Sequence, residues 1–210
     1  MIHSSRGALR RVAFSVSLLA GVIASVGVFS SPALASTAAT KTTKTTFTLS
    51  CKTGIANGDV SVATTQTYPA SVAAGKKFTI KWKSVTTVEG TLASAAYAIA
   101  PGGTEKGTVT LDTDLSTDAT PKSNNVAGKK GVKEQGTISS PNSFPIYTPV
   151  KGTLTTPSFK AGKKGKEKIS AQDDDANITI YNSSGSKVTT TTADCSPVGT
   201  PAVIATITVT

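Results

Sequence analysis

The sequence has no histidine, arginine or methionine beyond residue 11. Its single histidine is His3, and its three arginines are Arg6, Arg10 and Arg11. Beyond that point a Ser-His-Asp triad, a Cys-His pair and a histidine zinc site are therefore excluded. No phosphate-binding or dinucleotide-binding glycine motif is present, and no Ser-x-x-Lys occurs with its companion motifs. These absences exclude the common catalytic sites that use histidine and the common nucleotide-binding motifs.

The first 35 residues have the composition of an export signal. The arginines precede an uncharged apolar run, and an A-x-A sequence at 33–35 matches a signal-peptidase cleavage site. We interpret residues 1–35 as a signal peptide whose removal leaves Ser36 as the N-terminus. A retained membrane anchor is the alternative, because the apolar run is nearly long enough to span a bilayer. We expect a secreted, extracellular protein with no transmembrane segment in the mature chain, released or held to the cell wall non-covalently.

The chain that remains is basic and contains no arginine. It has 19 lysines against 12 acidic residues. Such a charge attracts anionic envelope polymers and lipid headgroups. Nucleic acid fits poorly, since arginine is absent for base recognition and aromatic residues are too few for stacking. The candidate polymer contacts are lysines in two predicted loops: Lys129, Lys130, Lys163, Lys164 and Lys166. The alternative is that these lysines only oppose aggregation.

The sequence Ala-Gly-Lys-Lys occurs three times, at 74–77, 127–130 and 161–164. The spacing is irregular, so the copies do not form a repeat array. They are typical of glycine-containing turns with lysine for solubility, or of an old duplication within the domain. The sequence leaves open whether these turns lie together.

Composition and periodicity predict an all-β domain. Threonine, valine, serine and glycine are abundant, and no apolar stripe of helical period follows the signal peptide. Phe78, Ile80 and Trp82 alternate with polar residues, so we expect Trp82 in the core and not in a ligand site. The short runs and turn residues are typical of a sandwich or an open barrel. Strands are predicted at 47–51, 60–68, 78–83, 92–99, 108–115, 135–138, 144–147, 150–155, 167–170, 178–181, 188–192 and 203–209.

We divide the mature chain into a disordered spacer and one domain. Residues 36–46 are rich in threonine and lysine and lack large apolar side chains, which is typical of disorder. Residues 47–210 form the predicted domain. Its last segment, 203–209, alternates as a strand with one buried face, and we expect it to complete a sheet that begins near Cys51.

Cys51 and Cys195 are the only cysteines. In an exported protein a disulfide is the default interpretation, and two free buried thiols are the alternative. The cysteines are 144 residues apart. Closing so long a loop contributes about 4–5 kcal/mol in the chain-entropy model. A bridge between the two ends of the domain favours one domain over two in tandem.

Carboxylates are the remaining candidates for chemistry. Asp112, Asp114, Asp118 and the run 173–175 lie in predicted loops or strand ends. Glycosidases surround such groups with aromatic residues that bind the sugar, and this chain has one tryptophan and four tyrosines. The twelve-residue calcium-loop pattern is not matched, although calcium binding by these acids stays open. We therefore expect no enzyme activity, no catalytic residue, no metal site and no cofactor.

Three motifs together resemble a family of uncharacterised exported proteins from actinobacteria. They are an F-T-x-x-C strand at 47–51, a P-x-x-V-x-x-G turn at 69–75, and Asp194-Cys195 followed by a Pro/Gly turn and a V-I-A-T strand at 203–206. The resemblance implies an immunoglobulin-like β-sandwich with one disulfide between its N- and C-terminal parts. It brings no catalytic residue. This chain departs from the family in its many lysines and in its lack of arginine after residue 11.

The function we predict is a secreted, non-enzymatic β-sandwich that associates with the cell envelope through its lysine-rich loops. Its partners would be anionic polymers or a surface protein. The alternative is an extracellular binding or adhesion module that takes a protein or carbohydrate at one end of the sandwich. A hydrolase that uses loop carboxylates is the third hypothesis.

Overall fold

In the computed structural model, which describes residues 39–116, 119–120, 123–125 and 131–210, alternating apolar and polar residues build strands almost throughout. The elements are β1 (Thr40–Thr53), β2 (Asn57–Pro69), β3 (Ser71–Val72), β4 (Lys77–Phe78), β5 (Lys81–Glu89), α1 (Gly90–Ile99), β6 (Thr104–Leu115), β7 (Ser123–Asn125), β8 (Val132–Thr137), β9 (Ser143–Thr148), β10 (Leu154–Thr155), β11 (Phe159–Lys160), β12 (Gly165–Tyr181), β13 (Lys187–Pro197) and β14 (Val203–Val209). Among the described residues, no helix has the length and apolarity of a membrane-spanning segment.

Eight of these strands close into a ring. Its order is β1-β2-β5-β9-β8-β6-β12-β13, and β13 pairs again with β1. All of these pairings are antiparallel, and one face of each strand points into the ring. The prediction of an all-β domain is confirmed. The immunoglobulin-like topology is not, because that fold keeps its strands in two separate sheets.

Strand β12 is 17 residues long and contributes to both hydrophobic cores of the domain. Residues 174–181 lie in the ring between β6 and β13, whereas residues 165–170 pair with β14. The core around β14 contains Trp82, which is 2% exposed, so its predicted core position is confirmed. The second core fills the ring beneath α1 and includes Leu49, Val60, Val88, Phe144 and Ile180.

The predicted strand at 92–99 is wrong, because this segment is helix α1. Four of its ten residues are alanine, which has the highest helix propensity. Leu92, Ala93 and Ala96 fall on one face and are buried. Gly58 on β2 provides the space, since a Cβ there would lie 3.3 Å from Cγ of Leu92. Two of the three buried residues are alanine, whose side chain is small, so the buried face of this helix was not recognisable as an apolar stripe in the sequence.

The predicted spacer at 36–46 is also corrected, because β1 begins at Thr40. Residues 40–52 pair with β2 along their whole length, from Thr40 opposite Pro69 onwards. Cross-strand hydroxyl contacts join Thr42 to Thr67 at 3.1 Å. Threonine is β-branched and favours strands, and this preference decides the structure where apolar side chains are few. The predicted signal peptide lies outside the described residues.

Cys51 and Cys195 form a disulfide, as predicted. They lie directly opposite each other on β1 and β13, with their Cα atoms 4.0 Å apart. The final strand, β14, belongs to the same sheet as the strand that carries Cys51, as predicted, and within that sheet it pairs with β12 and with the short β3. The disulfide therefore joins β1 to β13, the pair of strands at which the ring closes. Strand β14 contributes to the second packed region, the core that contains Trp82.

Candidate functional site

Two of the three Ala-Gly-Lys-Lys segments lie side by side. The backbone N–H of Gly75 donates to the carbonyl of Ala161 at 3.0 Å, and the N–H of Ala161 donates to the carbonyl of Lys76 at 2.8 Å. The segments at 74–77 and 161–164 therefore meet in space, which the sequence did not settle. The copy at 127–130, with the candidates Lys129 and Lys130, lies outside the described residues.

This junction places two lysines directly opposite each other. In the β4–β11 pair, Lys77 faces Lys160 and Phe78 faces Phe159. The two phenyl rings are buried and stack with centroids 5.3 Å apart, while both lysines are exposed on the other face. Like charges at directly opposed positions destabilise a sheet. The buried phenylalanine pair is the interaction that offsets this repulsion.

We define the lysine cluster as Lys76, Lys77, Lys160, Lys163 and Lys164. All five side chains are exposed. Lys166, the remaining candidate, is exposed two residues further on, at the start of β12. An open groove of about 660 Å³ adjoins the cluster and is lined by Lys76, Lys77, Lys81, Tyr68 and Val72 among others. The structure thus places two predicted lysines, Lys163 and Lys164, on the segment that meets the one carrying Lys76 and Lys77, which the prediction did not include.

The acidic candidates occupy strands and not loops. Asp112 and Asp114 are exposed on β6, and the run 173–175 lies within β12. Its side chains alternate, so only Asp174 points inward. No group of three acidic, histidine or cysteine residues within the described ranges is arranged to hold a metal ion. Asp118 lies outside those ranges.

The interior of the ring contains a group of carboxyls that sequence reasoning missed. Glu105 on β6 is 4% exposed and Glu134 on β8 is 6% exposed. Asp174 joins them from β12, on the other side of β6. One oxygen of each carboxyl, Oε1 of Glu105, Oε1 of Glu134 and Oδ1 of Asp174, is buried without a hydrogen-bond partner. Asp174 as a whole is partly exposed, but solvent does not reach this oxygen.

A glycine shapes the space around these carboxyls. Gly107 lies on β6 directly opposite Glu134. A Cβ at position 107 would lie 3.0 Å from Oε1 of Glu134 and 2.2 Å from the carbonyl oxygen of Asn177 on β12. The missing side chain lets β12 approach β6 closely and leaves room for the Glu134 carboxyl. Glu105 and Glu134 are diagonal neighbours, because Glu105 pairs with Gly136.

All three carboxyls line a cavity of about 70 Å³ whose wall is mainly apolar. The cavity has room for a few water molecules. It is far smaller than the few hundred Å³ that an organic ligand of drug size requires. The other lining residues include Cys51, Val60, Val88, Leu92, Phe144, Ile146, Ile178 and Ile180. The cavity is therefore suited to water or a proton, and not to a larger ligand.

Burial makes these groups weak acids. Burial, and then the charge of the nearby Glu134, together raise the pKa of Glu105 to about 8. Burial also raises the pKa of Glu134, to about 7. The pKa of Asp174 is raised well above its usual value by burial, then by the charges of Glu134, Asp175 and Asp112. Desolvation disfavours the charged form, so all three groups favour the neutral acid.

A weak signal in the sequence pointed to these glutamates. Glu105 has the same strand parity as Val109 and Leu111, and Glu134 the same parity as Val132. Both therefore fall on the apolar face of an alternating segment. The predicted strands began too late, at 108 and 135, so neither glutamate was placed inside.

No protein-family model and no curated protein sequence matches the chain significantly. Among solved structures, a crystal structure described as "Putative membrane anchored protein" from Corynebacterium diphtheriae is similar, with a TM-score of 0.51 and 14% sequence identity. The alignment covers 81% of this chain and 38% of that chain. At this identity the likeness concerns the fold. The neighbour comes from an actinobacterium, and no family match confirms the family that the resemblance suggests.

Proposed function

We propose that this chain is an extracellular, non-enzymatic module that binds anionic polymers of the cell envelope through the lysine cluster. The observation that carries the proposal is the placement of Lys77 opposite Lys160 where two Ala-Gly-Lys-Lys segments meet. A solubility role needs lysines only dispersed over the surface, whereas here they are held together against their mutual repulsion. The export signal and the disulfide support an extracellular location.

The chemistry of lysine suits such a ligand. An ammonium group is a compact point charge on a flexible stem, so it tolerates varied positions of phosphate or carboxylate along a polymer. Neither Lys77 nor Lys160 forms an ion pair with a carboxylate of the described residues. Each exposed contact contributes only about 0.2–1 kcal/mol, so several lysines must act together. Binding of this kind weakens as salt screens the charges.

Co-sedimentation of the mature protein, residues 36–210, with isolated cell walls tests this function. We expect binding at low salt and its loss at high salt. The triple variant Lys76→Gln/Lys77→Gln/Lys160→Gln should bind weakly at low salt. The control Lys52→Gln/Lys151→Gln/Lys187→Gln removes the same charge from exposed sites outside the cluster and should still bind.

Two outcomes would overturn the proposal. Equal loss in both triple variants would show that only net charge matters and that the cluster has no special role. Binding that persists at high salt would favour the alternative, a shaped site for a protein or carbohydrate.

A further inference from the structure

We propose that Glu105, Glu134 and Asp174 form an internal proton-dependent latch, which closes the wall β8–β6–β12 while its carboxyls are protonated and loosens that wall when they ionise. This inference concerns the ring interior and is independent of the lysine cluster. It stands on three observations: the carboxyls come from three adjacent strands, each has a buried oxygen without a partner, and all three line one small cavity.

Of the described residues, nothing else that lines the cavity can neutralise these charges. The disulfide is contributed by β1 and β13, and only hydroxyls and apolar groups come from β2, β5, β9 and α1. Among the described residues, no lysine lines the cavity. Lys106 and Lys133 are exposed and line an outer groove that Glu134 also reaches, but burial still raises the pKa of that carboxyl. Buried charges without a partner are strongly disfavoured, so the proton is the remaining means of neutralisation.

The charges outside the cavity act in the same direction. Asp112 and Asp175 are exposed on β6 and β12, and both raise the pKa of Asp174. A metal ion is a poor substitute for the proton, because the described acids include no group arranged to hold one. The carboxyls are therefore stable inside the ring as neutral acids with a few water molecules as partners.

The direction of the pH effect follows from linkage. The folded state keeps protons that the unfolded chain releases above its ordinary glutamate pKa of 4.5. Between that pH and about 8 the folded state binds more protons, so stability falls as pH rises. Salt-bridged carboxylates produce the opposite trend.

Thermal unfolding of the mature protein at pH 5 and pH 8.5 tests the latch. We expect the melting temperature to be lower at pH 8.5 by on the order of 10 °C. The isosteric variant Glu105→Gln/Glu134→Gln should lose most of this difference. The control Glu89→Gln, which changes an exposed glutamate, should keep it. An infrared band of protonated carboxyl should be present at pH 6 in the parent protein and much weaker in the double variant, in which only Asp174 of the three carboxyls is left.

Several results would overturn the latch. They are equal melting temperatures at the two pH values, no protonated-carboxyl band at pH 6, or an unchanged pH dependence in the double variant. Calcium that restores the stability lost at pH 8.5 would show that a cation and not a proton neutralises the group. If the double variant does not fold, the single variant Glu134→Gln and the infrared band of the parent protein decide the question.

Discussion

The hydroxyl oxygen of Tyr68 accepts a hydrogen bond from the backbone N–H of Thr206 at 3.3 Å. It also lies 2.7 Å from the hydroxyl of Thr43. One buried side chain on β2 thus joins β1 to the final strand, β14, which has no direct pairing with either. The relationship adds a side-chain link between the second packed region and the ring, beside the connection that β12 provides.

The variant Tyr68→Phe should be less stable by about 1–2 kcal/mol, because it removes both hydrogen bonds and leaves a backbone donor without its partner. Urea denaturation measures the change. The control Tyr147→Phe, at a residue 51% exposed, should behave like the parent protein. Equal stability of Tyr68→Phe and the control would show that this hydroxyl does not fasten β14.

The disulfide should be the largest single contribution to stability. The variant Cys51→Ser/Cys195→Ser lifts the constraint on a 144-residue loop, and the chain-entropy model predicts a loss of up to about 4–5 kcal/mol. Guanidinium denaturation of both proteins gives the difference. Reductant should destabilise the parent protein and leave the double variant unchanged. A loss well under 1 kcal/mol would show that the unfolded chain without the bridge keeps residual structure that already restricts this loop.

The opposed lysines give a prediction in which stability and binding move in opposite directions. Lys160→Gln removes one of two like charges, so it should stabilise the fold by a few tenths of a kcal/mol, roughly the size of a cross-strand pair effect. The gain should disappear at high salt, and wall binding should weaken at low salt. Lys187→Gln, at an exposed site on β13, is the matched control. A Lys160→Gln protein less stable at low salt would contradict the repulsion on which the proposed function depends.

The local sequence pattern predicted the structure correctly where large apolar side chains alternate regularly with polar ones. Phe78, Ile80 and Trp82 are all buried, as their alternation predicts. The turn between β12 and β13 is also local, because Asn182 holds it by accepting from the N–H groups of Ser184 and Ser186. Both features depend on contacts within a few residues, which a single sequence encodes directly.

Long-range pairing accounts for what the sequence could not predict. That β6 closes on β12, and that Lys77 meets Lys160, depends on contacts between segments tens of residues apart. Glu105 and Glu134 looked like surface residues because glutamate is rarely buried without a partner. Buried polar groups that break the usual rule of burial are expected mainly at functional sites. The burial of Glu105 and Glu134 is therefore the difference between prediction and structure that best indicates a function.

Gly107 tests whether close strand approach shapes the ring. Gly107→Ala places a Cβ 2.2 Å from the carbonyl oxygen of Asn177, so β6 and β12 must separate. Overpacking of this kind costs about 1–3 kcal/mol. We expect a lower urea midpoint and faster amide hydrogen exchange in β12, whereas Thr108→Ala, at the next and exposed position, should change neither. Unchanged exchange in Gly107→Ala would show that β12 adapts without opening, and that the packing of this wall is not what confines the Glu134 carboxyl.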